Sequence, residues 1–181
     1  IPFDRTVNER LRGVSRMESL NIILEKATGA YTETQKEALA TRKNAYYVEL
    51  IGKLTPGDIL PGTMEVLREL RKRNVKIAIG SSSRNTPIIL RQIGLESAFD
   101  AVADGNQISR SKPDPEVFVL AARLLDIAPE DCLVVEDADA GVEAALAGGM
   151  KALGVGSAAQ NPRATYQAQS LADVDLNTLL R

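Results

Sequence analysis

Two hydrophobic rhythms divide the chain near Thr55-Pro56-Gly57. Before that point apolar residues recur at helical spacing. Leu20, Ile23, Leu24 and Ala27 share one face behind Ser15-Arg16-Met17-Glu18, a capping-box pattern, and Gly29 is the expected stop. A second box, Thr32-Glu33-Thr34-Gln35, opens a helix through Ala38, Leu39, Ala45 and Tyr46 to about Leu50. Residues 1–55 therefore read as a small all-helical domain.

After Pro61-Gly62 the rhythm alternates. Helices are predicted near 63–73, 86–93, 115–125, 139–147 and 174–180, with short buried strands near 75–80, 101–103, 132–136 and 151–155. This is the pattern of an α/β protein with a Rossmann-like parallel sheet, so residues 56–181 read as a βαβ core domain with helices on both faces. Ligands in such folds bind at the carboxyl ends of the strands, which makes the residues after each strand the ones to inspect.

Composition narrows the function classes. The chain of 181 residues is 44% hydrophobic and 25% charged, enough apolar material for a packed core. Its 22 basic and 24 acidic residues are well mixed, with a net charge of -2, so no basic face argues for nucleic acid and no polybasic run for a membrane. No apolar run is long enough to span a bilayer or to form a secretory signal. The single cysteine, Cys132, opens a predicted strand and reads as a buried, inert thiol, which fits a cytoplasmic protein. Histidine is absent, which removes the commonest general base near neutral pH and every Ser-His or Cys-His pair. Carboxylates, lysine and hydroxyls must carry any chemistry.

Three blocks supply such groups. The first predicted strand runs into Gly80-Ser81-Ser82-Ser83-Arg84-Asn85, and Thr86-Pro87 then starts a helix. Hydroxyls and free N–H groups at a helix N-terminus suit a phosphate, although three serines equally make a turn and a cap. Ser111-Lys112-Pro113-Asp114-Pro115 holds a lysine in a stiff segment, where a fixed ammonium could offset charge on a transferring phosphoryl group; alone, such a segment is more often a solvated turn. Glu136 and Asp137 are adjacent acids at the end of Leu133-Val134-Val135. Neighbouring carboxylates are costly without a cation between them, and Mg²⁺ takes such oxygen ligands. The plainer alternative is that Asp137 or Asp139 caps the next helix.

Order, spacing and placement of the three blocks agree with one another, and on them the chain resembles the haloacid dehalogenase superfamily in its sugar-phosphate mutase branch. Gly13-Val14-Ser15-Arg16, Arg42-Lys43-Asn44, Leu60-Pro61-Gly62 and Glu136-Asp137-Ala138-Asp139-Ala140-Gly141 extend the likeness along the whole chain. The resemblance implies that residues 1–55 are a helical cap. It assigns Ser81 to the transferring phosphoryl group, Lys112 to neutralising nucleophile and phosphate, and Glu136 and Asp137 to Mg²⁺. Ser82, Ser83, Arg84 and Asn85 would bind a sugar phosphate from the core, with Arg16 gripping its far phosphate and Gly13, Val14, Ser15, Ser19 and Lys43 lining the sugar pocket. The implied activity interconverts β-glucose 1-phosphate and β-glucose 6-phosphate through an aspartyl phosphate and a glucose 1,6-bisphosphate, in a monomer. A sugar-phosphate phosphatase and a non-catalytic phosphate-ligand binder are the alternatives.

One departure from the family pattern matters. Members carry a strand ending in D-x-D-G-[VT], whose first aspartate is phosphorylated, and residues 1–181 contain no such segment. In the family fold that strand is central, between those that here end at Ser81 and Glu136. Four or so buried strand residues are worth roughly 6–12 kcal/mol, comparable with the net stability of a domain. The chain, which opens at Ile1, is accordingly expected to be a piece of a longer protein and to show no turnover alone.

Overall fold

The computed structural model describes residues 1–179. Helices α1 (Arg5–Arg10), α2 (Arg16–Leu24) and α3 (Glu33–Ile51) pack in sequence, α1 on α2 and α2 on α3. The sequence pattern missed α1, which is short and buries only Val7; Asp4 caps it by accepting from the Val7 N–H at 2.8 Å. α2 ends well before Gly29, and Ala27 lies beyond it. Its cap residue Glu25 is gripped by Arg10 through two hydrogen bonds of 2.7 Å, which pins that end of α2 to α1. α3 follows its expected course and carries a complete capping box between Thr32 and Gln35.

The remainder contains α4 (Thr63–Lys72), β1 (Ala78–Gly80), α5 (Thr86–Gln92), β2 (Ala101–Ala103), α6 (Glu116–Leu125), β3 (Leu133–Glu136), α7 (Asp139–Ala147), β4 (Lys151–Gly154), β5 (Tyr166–Gln167) and α8 (Leu176–Leu179). The last position of the helix expected over 174–180 lies outside the described residues. All strand pairs are parallel, but they fall into two sheets, β1-β2 and β3-β4-β5. β1 and β3 form no ladder with each other, and Val135 in the middle of β3 is 45% exposed.

One helical layer joins the two sheets: α6 lies against β1 and β2, α7 against β3 and β4, and the helices touch. Their shared core is rich in small side chains, with Ala103, Val117, Val142, Ala144, Ala145 and Ala152 fully buried, so helix and strand backbones approach closely. β1 is shorter than the apolar run 75–80 predicted. Asp100 takes over the ladder there, its Oδ2 accepting from the Ile77 N–H at 2.7 Å while its own N–H donates to the Ile77 carbonyl at 2.7 Å. Cys132 precedes β3 rather than opening it, and is half-buried rather than enclosed. Burial pushes its thiol up, with Asp131 and Glu130 adding to the shift, which keeps it protonated and unreactive. Among the described residues no helix is long and apolar enough to cross a membrane.

Candidate active site

The loop after β1 is built by its own hydroxyls. Ser81 Oγ accepts from the Ser83 N–H at 3.2 Å, Ser83 Oγ from the Asn85 N–H at 3.1 Å, and Thr86 Oγ1 donates to the Ser83 carbonyl at 2.9 Å. The serines are therefore turn formers. In accepting, however, Ser81 and Ser83 keep their own hydroxyl protons available for another acceptor. Ser82 Oγ is buried and has no partner among the described residues. Arg84 turns away to the Gly105 carbonyl at 3.1 Å, while Asn85, itself buried, donates from Nδ2 to Asn44 Oδ1 of α3 at 2.9 Å.

Lys112 stands where the two sheets meet. Only 5% exposed, its Nζ donates to the Gly80 carbonyl at the end of β1 (3.1 Å) and to Glu136 Oε2 at the end of β3 (2.8 Å). The ammonium also lies 4.4 Å from the centre of the Phe118 ring. The Lys112-Pro113 peptide is cis. Gly80 has to be small here, because a Cβ would lie 2.6 Å from Phe118.

Glu136 is 8% exposed, and Oε1 accepts from the Ala138 N–H at 3.3 Å. Burial pushes its carboxyl upward, against the pull of Lys112, and neighbouring Asp137 pushes the same way. Gly141 packs onto this side chain so closely that any Cβ would overlap it. Asp137 points outward, 3.5 Å from Nη1 of Arg12, which also donates to Ser157 Oγ at 2.8 Å. The expectation that Asp139 caps α7 fails. The cap position is Ala138 without a side-chain bond, and Asp139 Oδ1 accepts from Asn161 Nδ2 at 2.7 Å instead.

A cavity of about 870 Å³ opens between these groups and the first three helices. Ser81, Ser82, Ser83, Arg84, Asn85, Lys112, Glu136 and Asp137 line one wall; Gly13, Val14, Ser15, Arg16, Ser19 and Lys43 line the other. The residues that the resemblance assigned to the site thus line one cavity, whereas Asp139 does not. Their roles differ: Ser19 is buried and donates to the Leu11 carbonyl at 3.5 Å, whereas Arg16 and Lys43 are exposed and make no ion pair among the described residues. Glu37, Thr41 and Asn44 also line it, from one face of α3. Their helical spacing was readable as a polar stripe. Nothing in the sequence pointed to Arg12.

No group of three or more acidic, histidine or cysteine side chains that could hold a metal occurs among the described residues. Glu136 and Asp137 nevertheless form a pair of hard oxygen donors at a strand end, and such a pair suits Mg²⁺ when phosphate and water fill the other positions.

A model of haloacid dehalogenase-like hydrolases matches residues 4–149. The chain is 45% identical over 181 residues to the β-phosphoglucomutase of Bacillus subtilis, covering 99% of this chain and 80% of that protein. It is 29% identical over 183 residues to a phosphorylated carbohydrates phosphatase of Thermotoga maritima, covering 99% and 82%. The crystal structure of a β-phosphoglucomutase from Clostridium difficile superposes with a TM-score of 0.92 at 36% identity, covering 99% of this chain and 81% of that one.

Proposed function

The chain belongs to the haloacid dehalogenase-like hydrolase family, and on that premise we propose that its cavity serves a mutase interconverting β-glucose 1-phosphate and β-glucose 6-phosphate. The observation that carries this reading is the pair of cationic poles facing one cavity, Lys112 on the core wall and Arg16 on the helical wall. A simple phosphatase needs one such pole; a bisphosphate intermediate needs two. The similarity to the Bacillus subtilis β-phosphoglucomutase supports the same choice.

In this reading residues 1–55 act as a cap over residues 56–181. Lys112 neutralises the reacting phosphate and the attacking carboxylate, and Ser81 donates its free hydroxyl proton to the phosphoryl oxygens. An attacking carboxylate would have to stand between the ends of β1 and β3, which Lys112 bridges. It attacks phosphorus, the sugar oxygen leaves with a proton from a neighbouring acid, and reversal onto the other hydroxyl returns the phosphate. Asp137 and Glu136 would hold Mg²⁺, which when bound supplies charge stabilisation to the phosphoryl oxygens. Arg16 and Lys43 hold the bisphosphate while its ends exchange, and the closed cap excludes water.

Two measurements test this. Glucose 6-phosphate should bind the chain in calorimetry and bind Arg16→Ala more weakly. In a form carrying the D-x-D-G strand, ³¹P spectroscopy should show isomerised sugar phosphate, and Arg16→Ala should divert flux to inorganic phosphate. Inorganic phosphate as the main product of the unaltered enzyme would favour the phosphatase reading that the Thermotoga maritima relative suggests, and unchanged mutase kinetics in Arg16→Ala would remove the two-pole argument.

A further inference from the structure

Glu18 occupies the position where a capping box requires it to accept from the Ser15 N–H. Half of the exchange forms: Ser15 Oγ accepts from the Glu18 N–H at 3.3 Å. The other half does not. Glu18 Oε2 instead accepts from Ser111 Oγ at 2.7 Å, 93 residues along the chain, and no described residue takes the Ser15 N–H. α3 serves as an internal control. There Gln35 Oε1 accepts from the Thr32 N–H at 2.9 Å and the box closes.

α2 has thus given up one capping bond to reach the core. The partners it joins are the neighbours of the two cationic poles, since Ser111 precedes Lys112 and Ser15 precedes Arg16. The bond also divides space: Ser15, Ser109, Arg110 and Ser111 line both the main cavity and a second one of about 600 Å³, and Glu18 lines only the second.

We propose that Glu18 is a positioning residue with two alternative partners, Ser111 Oγ when the helical unit is seated on the core and the Ser15 N–H when it is released. Each state gives the carboxylate one hydrogen bond, so neither strands it, and the balance between them stays within reach of a ligand that prefers the seated state. The seated state registers Arg16 against Lys112. The ligand-dependent consequence rests on the sugar-phosphate reading; the exchange of partners does not.

The test uses the 181-residue chain, following hydrogen exchange at the Ser15 amide by NMR, thermal midpoints, and glucose 6-phosphate affinity by calorimetry. In Ser111→Ala the carboxylate should return to its helix, slowing Ser15 exchange about 5-fold, with the thermal midpoint nearly unchanged and glucose 6-phosphate bound several-fold more weakly. Ser111→Thr, which keeps the hydroxyl, should restore the original exchange rate and affinity. Glu18→Ala loses both partners, so Ser15 should stay unprotected and the midpoint should fall. Unchanged Ser15 exchange in Ser111→Ala, or equal midpoint losses in Ser111→Ala and Glu18→Ala, would overturn the proposal. Failure of the unaltered chain to bind glucose 6-phosphate would overturn the sugar reading, and the exchange data would still decide the alternation.

Discussion

The two walls of the cavity hold their charges on opposite terms. On the core wall, Lys112 and Glu136 are 5% and 8% exposed and satisfy each other, with the Gly80 carbonyl and the Ala138 N–H completing the set. On the helical wall, Arg16 and Lys43 stand in solvent without an ionic partner among the described residues. A buried, mutually satisfied pair is preorganised and needs little rearrangement when charge develops beside it. An exposed cation contributes only what its new contact exceeds its hydration by. The difference teaches that the charges of the core wall are fixed by the fold itself, whereas those of the helical wall are held by no charged neighbour among the described residues and stay available to a ligand.

Breaking the core pair should have the largest effect. Lys112→Met leaves a buried carboxylate unpaired and should cost about 3–5 kcal/mol in urea unfolding; a loss below about 1 kcal/mol would erase the contrast between the walls. Crowding the pair comes next. Gly141→Ala drives a methyl group into the Glu136 side chain, and overpacking of this kind should cost about 1–3 kcal/mol, read as a lowered thermal midpoint.

A pH series sharpens the comparison further. Because burial pushes the Glu136 carboxyl up from its ordinary value of 4.5, the folded protein holds that proton more tightly than the unfolded chain. This contribution to stability is complete below the unfolded value and is lost as pH rises through the folded one. The carboxylates Glu25, Asp58, Glu69, Asp100 and Glu116, exposed or only half-buried, are shifted down by their hydrogen bonds and act in the opposite sense, losing their contribution as pH falls. The stability difference between wild type and Glu136→Gln isolates the first effect and should move against wild type as pH rises from 4 to 8; a flat difference would contradict it. Arg16→Ala should disturb the fold least, by under about 0.5 kcal/mol, while weakening glucose 6-phosphate about 10-fold in calorimetry.

Legibility followed the length of each signal. α3 was readable because Thr32 and Gln35 close their box locally and the helical rhythm continues for several turns. α2 carried the same signature at its start, but its end depends on the distant grip of Arg10 on Glu25, and one capping bond is diverted to Ser111. β1 was overread because the apolar run cannot reveal that Asp100 supplies the pairing at Ile77. β5, only Tyr166–Gln167, is set by its register on Leu153 and Gly154 rather than by any pattern of its own. At the site, Ser81, Glu136 and Asp137 were visible as polar residues ending apolar runs, and Lys112 as the cation of a proline-stiffened segment. Arg12 was not, since a charged residue in a polar turn looks the same whether or not it reaches across to Asp137 and Ser157.

Arg12 has a consequence of its own. Its contact with Asp137 joins side chains 43% and 64% exposed, so dissolved electrolyte reaches it freely, and a screening length of about 10 Å at 0.1 M salt falls to about 3 Å at 1 M. The Lys112–Glu136 pair lies beyond that influence. Ionic strength is therefore a dial that acts on the contact between the first helices and the core while leaving the buried Lys112–Glu136 pair untouched, a handle for loosening that contact without altering a single residue.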